Sequence, residues 1–298
     1  MPSWQDFQPF LVTGLALGGV YALSGVGMLV LFRATGVLNL SFGAVGAIGA
    51  LIAWQAINSW HLPQGIAWLI CVLFAAVITT AYGLVFGTAL AKRDPLVKAT
   101  ASLGFALILL GAMDLLWTTS GGASRSLTLP TDNSGFTISS IQITWTQVIG
   151  VAIGVAITIG TAAFLRFTKL GTAMRAMAND REITAMLGVP VTRVLAAAWF
   201  GCGVLAGIAG LLLADLVALD ATTLTFLVIS SLAAALIARL RSITVTFVAA
   251  MVIGTVDSML TPIQSLTNYR DMTPFVLAVA ALIVLSGRST ISLERGGI

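Results

Sequence analysis

Charge is what this chain has least of. Only 9% of its 298 residues are Asp, Glu, Lys or Arg, while 58% are hydrophobic, against roughly 25% charged in an average soluble domain. So little polar surface cannot cover a globule in water. A bilayer needs no such cover, but it requires every backbone polar group to be bonded internally. The apolar runs are long, unbroken and rich in Ala, Leu, Gly and Val, unlike the alternating segments of about ten residues that build a membrane barrel. The expectation is an all-α, polytopic membrane protein. Histidine is almost missing as well: His61 is the only one, set between Trp60 and Pro63 in a short loop, and it reads as an interfacial residue rather than a metal ligand. The two cysteines, Cys71 and Cys202, sit in separate apolar runs. That excludes a disulfide framework and gives no support to a thiol or metal active site, so both read as small hydrophobes. No Gly-x-x-x-x-Gly-Lys-Ser/Thr phosphate loop is present, so the chain does not hydrolyse ATP by that route. No catalytic residue, cofactor or metal is expected, and any ATPase belongs to a separate subunit. The stretch from Met1 to Gln8 has no basic residue and does not read as a cleaved signal peptide, so the first apolar run is taken as a retained span.

What is present is a series of spans. A crossing needs about 20 apolar residues, and on that scale the sequence predicts about nine membrane-embedded helices in one domain covering residues 1–298. They are Phe10 to Leu31, Val37 to Ile57, Gly65 to Ala91, Val97 to Trp117, Trp145 to Phe167, Val194 to Ala214, Leu224 to Ala238, Ile243 to Thr261 and Met272 to Ser286. With the N-terminus outside and the C-terminus inside, every Lys and Arg except Arg125 and Arg270 falls on the inner side, which satisfies the positive-inside bias. The net charge of +4 is thereby accounted for without a nucleic-acid partner.

Several spans carry small residues at close intervals. Gly14 with Gly18, Gly83 with Gly87, Gly150 with Gly154 and Gly203 with Gly207 have the Gly-x-x-x-Gly spacing that lets helices approach closely in a membrane. The second span holds Gly36, Asn39, Ser41, Gly43, Gly46 and Gly49, a density that fits close packing or a broken helix lining a cavity. Gly43 to Ala53 and Gly203 to Ala214 share a small-residue period, as an internal repeat or through composition alone. Asp114, Asp215 and Asp257 lie within spans, where a charge costs at least about 2.5 kcal/mol at mid-membrane. Asp257 is the deepest and the best candidate for a cavity or an interhelical bond.

The longest inner loop, residues 168–193, reads TKLGTAMRAMANDREITAMLGVPVTR. It predicts two short helices, Gly171 to Ala178 and Asp180 to Leu187. Asn179 or Asp180 serves as N-cap, Asp180 and Glu182 occupy the first turn, and Gly188 and Pro190 make the stop. Ile183, Met186 and Leu187 share one apolar face of the second helix. That face rests on the inner headgroup layer, with Arg175, Arg181 and Arg193 meeting anionic lipid, or it docks into a groove on a cytosolic protein.

The string GTAMRAMANDREITAMLGV resembles the cytosolic signature of the permease subunits of ABC importers for branched-chain amino acids and related solutes. Arg175, Ala176, Asn179, Glu182, Ala185 and Gly188 fit it. GLALGGVYALSGVGMLVLFRATGVLNLSFG is similar to that family's first span and following Asn-containing helix, and Leu240, Arg241 and Ser242 extend the match. The resemblance implies a path for a small polar solute formed with a second permease subunit, the pair being identical or different. It also implies cytosolic ATPase subunits on the inner loops, with Asp180 included in the coupling set, and an extracytoplasmic binding protein that delivers the solute. The location implied is a bacterial inner membrane. Asn39, Ser41, Phe42, Gly43 and Asp257 are the expected path residues. One departure stands out: the family commonly has His or Gln before the glycine where this chain has Phe42. An ion- or proton-coupled secondary transporter is the alternative function.

Overall fold

A computed structural model describes residues 4–90, 93–117, 127, 135–138, 141–217, 219–226, 228–263, 272–281 and 283. The order of elements is α1 (Trp4–Thr35), α2 (Phe42–Asn58), α3 (Gln64–Ala89), α4 (Pro95–Trp117), β1 (Gly135–Ile138), β2 (Ile141–Thr144), α5 (Trp145–Phe167), α6 (Lys169–Asn179), α7 (Arg181–Met186), α8 (Val191–Leu216), α9 (Ala221–Phe226), α10 (Val228–Ile237) and α11 (Ile243–Met259). Residues 273–281 are helical too. By length and composition, five helices can cross a membrane: α1, α3, α4, α5 and α8. The other expected spans are shorter. α2 and α11 have 17 residues each, α9 and α10 lie on either side of residue 227, and the expected ninth span runs into residues outside the described set.

α1 is the axis of the bundle. α5, α8, α10 and α11 pack around it, and it is buried over most of its length. α3, α4 and α5 lie outside and turn side chains such as Leu69, Val77, Leu107 and Ile159 outward, an arrangement that lipid tolerates and water does not. The four predicted glycine pairs all serve helix contacts. Gly14 and Gly18 meet α11, Gly150 and Gly154 meet α1, Gly203 and Gly207 meet α3, and Gly83 and Gly87 receive the ring of Trp199. A Cβ on Gly14 would stand 2.8 Å from Thr255 Cα. The two segments that share a small-residue period, Gly43–Ala53 and Gly203–Ala214, touch at Gly46, which faces Ala206 and Gly210, while Gly203 and Gly207 face α3 instead.

One expectation needs correction. Residues 37–41, taken as the start of the second span, are not helical: α1 stops at Thr35, Gly36 turns the chain with φ of 68°, and α2 begins only at Phe42. The fold is helical as expected, with one addition, the antiparallel pair β1 and β2 in which Phe136 is opposite Ile143 and Ile138 opposite Ile141.

One end of the bundle gathers the basic turns. Arg33 Nη1 donates to the Arg241 carbonyl at 3.5 Å, which joins the end of α1 to the α10–α11 turn, where Arg239 and Leu240 both have positive φ. α6 packs on α1, α5 and α8. At the opposite end, Gln147 Nε2 donates to Thr13 Oγ1 at 3.1 Å, and the strand pair leads into α5 through a capping box formed by Thr144 and Gln147.

Candidate functional site

The α6–α7 loop is built to hold its shape. The Thr168 side chain caps α6 by accepting from Gly171 N at 2.9 Å. At this corner α6 folds back on the end of α5 so tightly that a Cβ on Gly171 would lie 2.5 Å from Leu165 Cα. Met174 and Met177, further along the same helix, are buried. Asp180, rather than Asn179, is the cap of α7: its Oδ1 accepts from Glu182 N at 2.9 Å and Ile183 N at 3.0 Å. Leu187 N closes the turn on Ile183 O at 3.1 Å. Gly188 then takes φ of 83°, a left-handed conformation that glycine adopts without the Cβ penalty.

The predicted coupling residues therefore share one tip. Arg175, Asn179, Asp180, Glu182, Ala185 and Gly188 are exposed and Ala176 is half-buried. Ile183, Met186 and Leu187 are 52%, 78% and 78% exposed. The apolar face predicted for this helix has no cover within the chain.

Residues 36–41 make the second notable region. Gly36 is exposed, but Val37 to Ser41 are buried or half-buried, and their polar groups find partners within the stretch and on α4 and α8. Asn39 and Ser41 are each 1% exposed. Asn39 Oδ1 accepts from Ser41 N at 3.1 Å and from Ser41 Oγ at 2.6 Å, while its Nδ2 donates to Cys202 Sγ at 3.7 Å. Ser102 of α4 reaches across: its hydroxyl accepts from Leu40 N at 3.0 Å and lies 3.0 Å from Leu38 O and 2.8 Å from Ala99 O. Buried backbone polar groups need partners, and here one hydroxyl serves two backbone groups of the non-helical stretch. Sequence reasoning passed over Ser102, because nothing local distinguishes it from other small residues on α4.

Two cavities lie near this segment without being lined by it. The first, of about 10 Å³, lies among Ser24, Phe42, Gly43, Gly46, Gly210 and Leu224, room for about one water molecule. The second is an open apolar cleft of about 900 Å³ between α5 and α8, with Gly27 of α1 and Cys202 on its wall. The two are close neighbours, since a Cβ on Gly27 would meet Phe42 Cε2 and Leu205 Cδ1, each at 3.1 Å. Of the predicted path residues, Phe42 and Gly43 line the smaller cavity, whereas Asn39 and Ser41, just before them in the chain, line neither. Asp257 lies elsewhere in the bundle: it is 5% exposed on α11, next to Ser258 where that helix meets Gly14 of α1, and it too lines neither cavity. Asp215 is half-buried and Asp114 exposed. Among the described residues no group of three or more His, Cys, Asp or Glu is placed to hold a metal ion.

Residues 10–283 match the family described as "Branched-chain amino acid transport system / permease component". The chain is 25% identical over 291 residues to the high-affinity branched-chain amino acid transport system permease protein LivH of Salmonella typhimurium, covering 92% of each chain. It is 24% identical over 298 residues to the corresponding permease protein BraD of Pseudomonas aeruginosa, covering 95% of each. A probable branched-chain amino acid transport permease protein LivH of Methanocaldococcus jannaschii is 24% identical over 247 residues, 80% of this chain and 76% of the relative. With nearly its whole length matched, the chain belongs to the branched-chain amino acid transport system permease family.

Proposed function

We propose that the chain is a transmembrane permease subunit of an ABC importer, oriented N-out and C-in in a bacterial inner membrane, that passes a small polar solute such as a branched-chain amino acid. Its partners in this reading are cytosolic ATPase subunits, a second permease subunit and an extracytoplasmic binding protein, and ATP is hydrolysed only in the ATPases. The observation that carries the reading is the bare apolar face of α7 on a helix pair clamped to the bundle. Ile183, Met186 and Leu187 point away from the chain, while Gly171, Met174 and Met177 lock α6 against it. A docked ATPase covers that face, and movement of the ATPase is passed through α6 to α5 and α1. The work comes from the difference in ATPase affinity between two permease conformations, since a partner shifts an equilibrium only through differential binding.

In the same reading Asn39, Ser41, Phe42 and Gly43 belong to the solute path. The void beside Phe42 and Gly43 is too small for an amino acid, so the conformation described is closed at this level and opens when the helices around α2 separate. The Phe42 ring, which takes the place of a polar residue common in the family, gives this path an apolar lining that suits an aliphatic side chain.

The test is retention of the cognate ATPase subunits by the tagged, membrane-extracted permease. Retention that disappears when Met186 and Leu187 are both replaced supports the assignment. Transport that proceeds with no ATPase present overturns it.

A further inference from the structure

The cleft between α5 and α8 is not explained by the coupling loop or by the closed void. Its walls are apolar, with Gly27, Gly160, Phe164, Ala197, Gly201 and Leu205 among the residues that line it. Gly160 and Gly201 differ from most glycines of the bundle in that a Cβ on either would meet nothing within 4 Å, so internal packing does not require their smallness. They leave room in a volume of about 900 Å³.

The mouth of the cleft carries charge of one sign. Arg166 and Lys169 sit at the α5–α6 corner, between the cleft residues Phe164 and Leu170. Arg193 lies one turn before the cleft residues Ala196 and Ala197 on the same face of α8, since positions three and four apart share a helix face. All three are exposed, and among the described residues none has an acidic partner; Arg166 instead rests 5.5 Å from the centre of the Phe167 ring. Long basic side chains at the end of an apolar groove place their stems along hydrocarbon and their heads at the headgroup level.

We infer that this cleft holds the acyl chains of an anionic phospholipid from the inner leaflet, with its phosphate on Arg166, Lys169 and Arg193. Charge favours this occupant over a second copy of the chain. A two-fold contact through the same patch brings three cations against three cations, whereas an anionic headgroup neutralises them. The lipid then wedges α5 apart from α8 at the base of the coupling loop. The inference rests on the membrane orientation proposed above.

The test uses the intact transporter, extracted with its ATPase subunits, and native mass spectrometry while phosphatidylglycerol or phosphatidylcholine is titrated in. The wild type retains phosphatidylglycerol in preference to phosphatidylcholine. Replacing all three cations (Arg166→Gln, Lys169→Gln, Arg193→Gln) lowers phosphatidylglycerol affinity about a hundredfold, roughly fivefold for each cation, and abolishes the preference. Gly160→Leu, whose Cβ meets nothing within 4 Å and whose side chain enters the cleft, lowers retention of both lipids. Equal retention of the two lipids by the wild type overturns the inference, as does a Gly160→Leu transporter that loses its second permease subunit while lipid retention is unchanged. The ATPase subunits remain bound in every variant, so failure of the lipid site is distinguishable from failure of the coupling assignment.

Discussion

The most discriminating perturbation is a double truncation of the α7 face, Met186→Ala with Leu187→Ala. Both side chains are 78% exposed, so removing them from the isolated permease disturbs no packing, and a surface change of this kind falls within about 0.5 kcal/mol of neutral. In the proposed complex the same side chains are buried against the ATPase. Each truncation removes about three carbon-sized groups at roughly 0.8 kcal/mol apiece. Allowing for the part already shielded and for imperfect burial, the pair amounts to about 3 kcal/mol of lost association free energy, or about a hundredfold in Kd. The assay is a binding titration of purified ATPase subunits onto permease in lipid nanodiscs, with a thermal unfolding curve on the same sample. The expected outcome is a weakened Kd and an unchanged Tm. A Kd within threefold of wild type refutes the docking role of this face. A fall in Tm of several degrees refutes it differently, by showing that the face is packed in the folded chain.

Three further outcomes are expected. Ser102→Ala strands Leu40 N–H and Leu38 C=O together and costs about 1–3 kcal/mol for each buried orphan, seen as a lower unfolding temperature in detergent, whereas changing the nearby exposed Thr100 leaves it unmoved. Gly171→Ala drives a Cβ into the end of α5; overpacking of this kind costs about 1–3 kcal/mol, and ATP hydrolysis becomes uncoupled from solute uptake even where the ATPase stays bound. Asp180→Ala loses both cap bonds of α7 and about 1 kcal/mol, measurable as a weaker ATPase affinity, while Asp180→Asn keeps the cap and stays close to wild type.

The legible parts of this protein were those with local causes. α6 and α7 were readable because polar punctuation surrounds them: Asp180 is an acceptor at the right spacing from Glu182 N and Ile183 N, and Gly188 with Pro190 stops the chain. The glycine pairs were readable because spacing alone puts both residues on one face. The break before α2 was not, since Val37, Leu38 and Leu40 are as apolar as any span and the hydroxyl that satisfies the broken backbone comes from Ser102, sixty-odd residues away in sequence. The strand pair is faintly marked in the sequence: GFTI and IQIT alternate apolar and polar, a strand pattern that the polar residues around it obscure. The cleft between α5 and α8 is invisible in sequence, because it exists only where two distant helices fail to close on each other.

The central claim is that this chain supplies a path and a lever while another polypeptide supplies the energy. Its most direct test is uptake of radiolabelled leucine into proteoliposomes containing the permease subunits and their ATPases, with binding protein outside and ATP sealed inside. The account predicts uptake that requires ATP and is lost with a hydrolysis-deficient ATPase. Uptake by the permease alone, driven by an imposed proton or ion gradient, would contradict it.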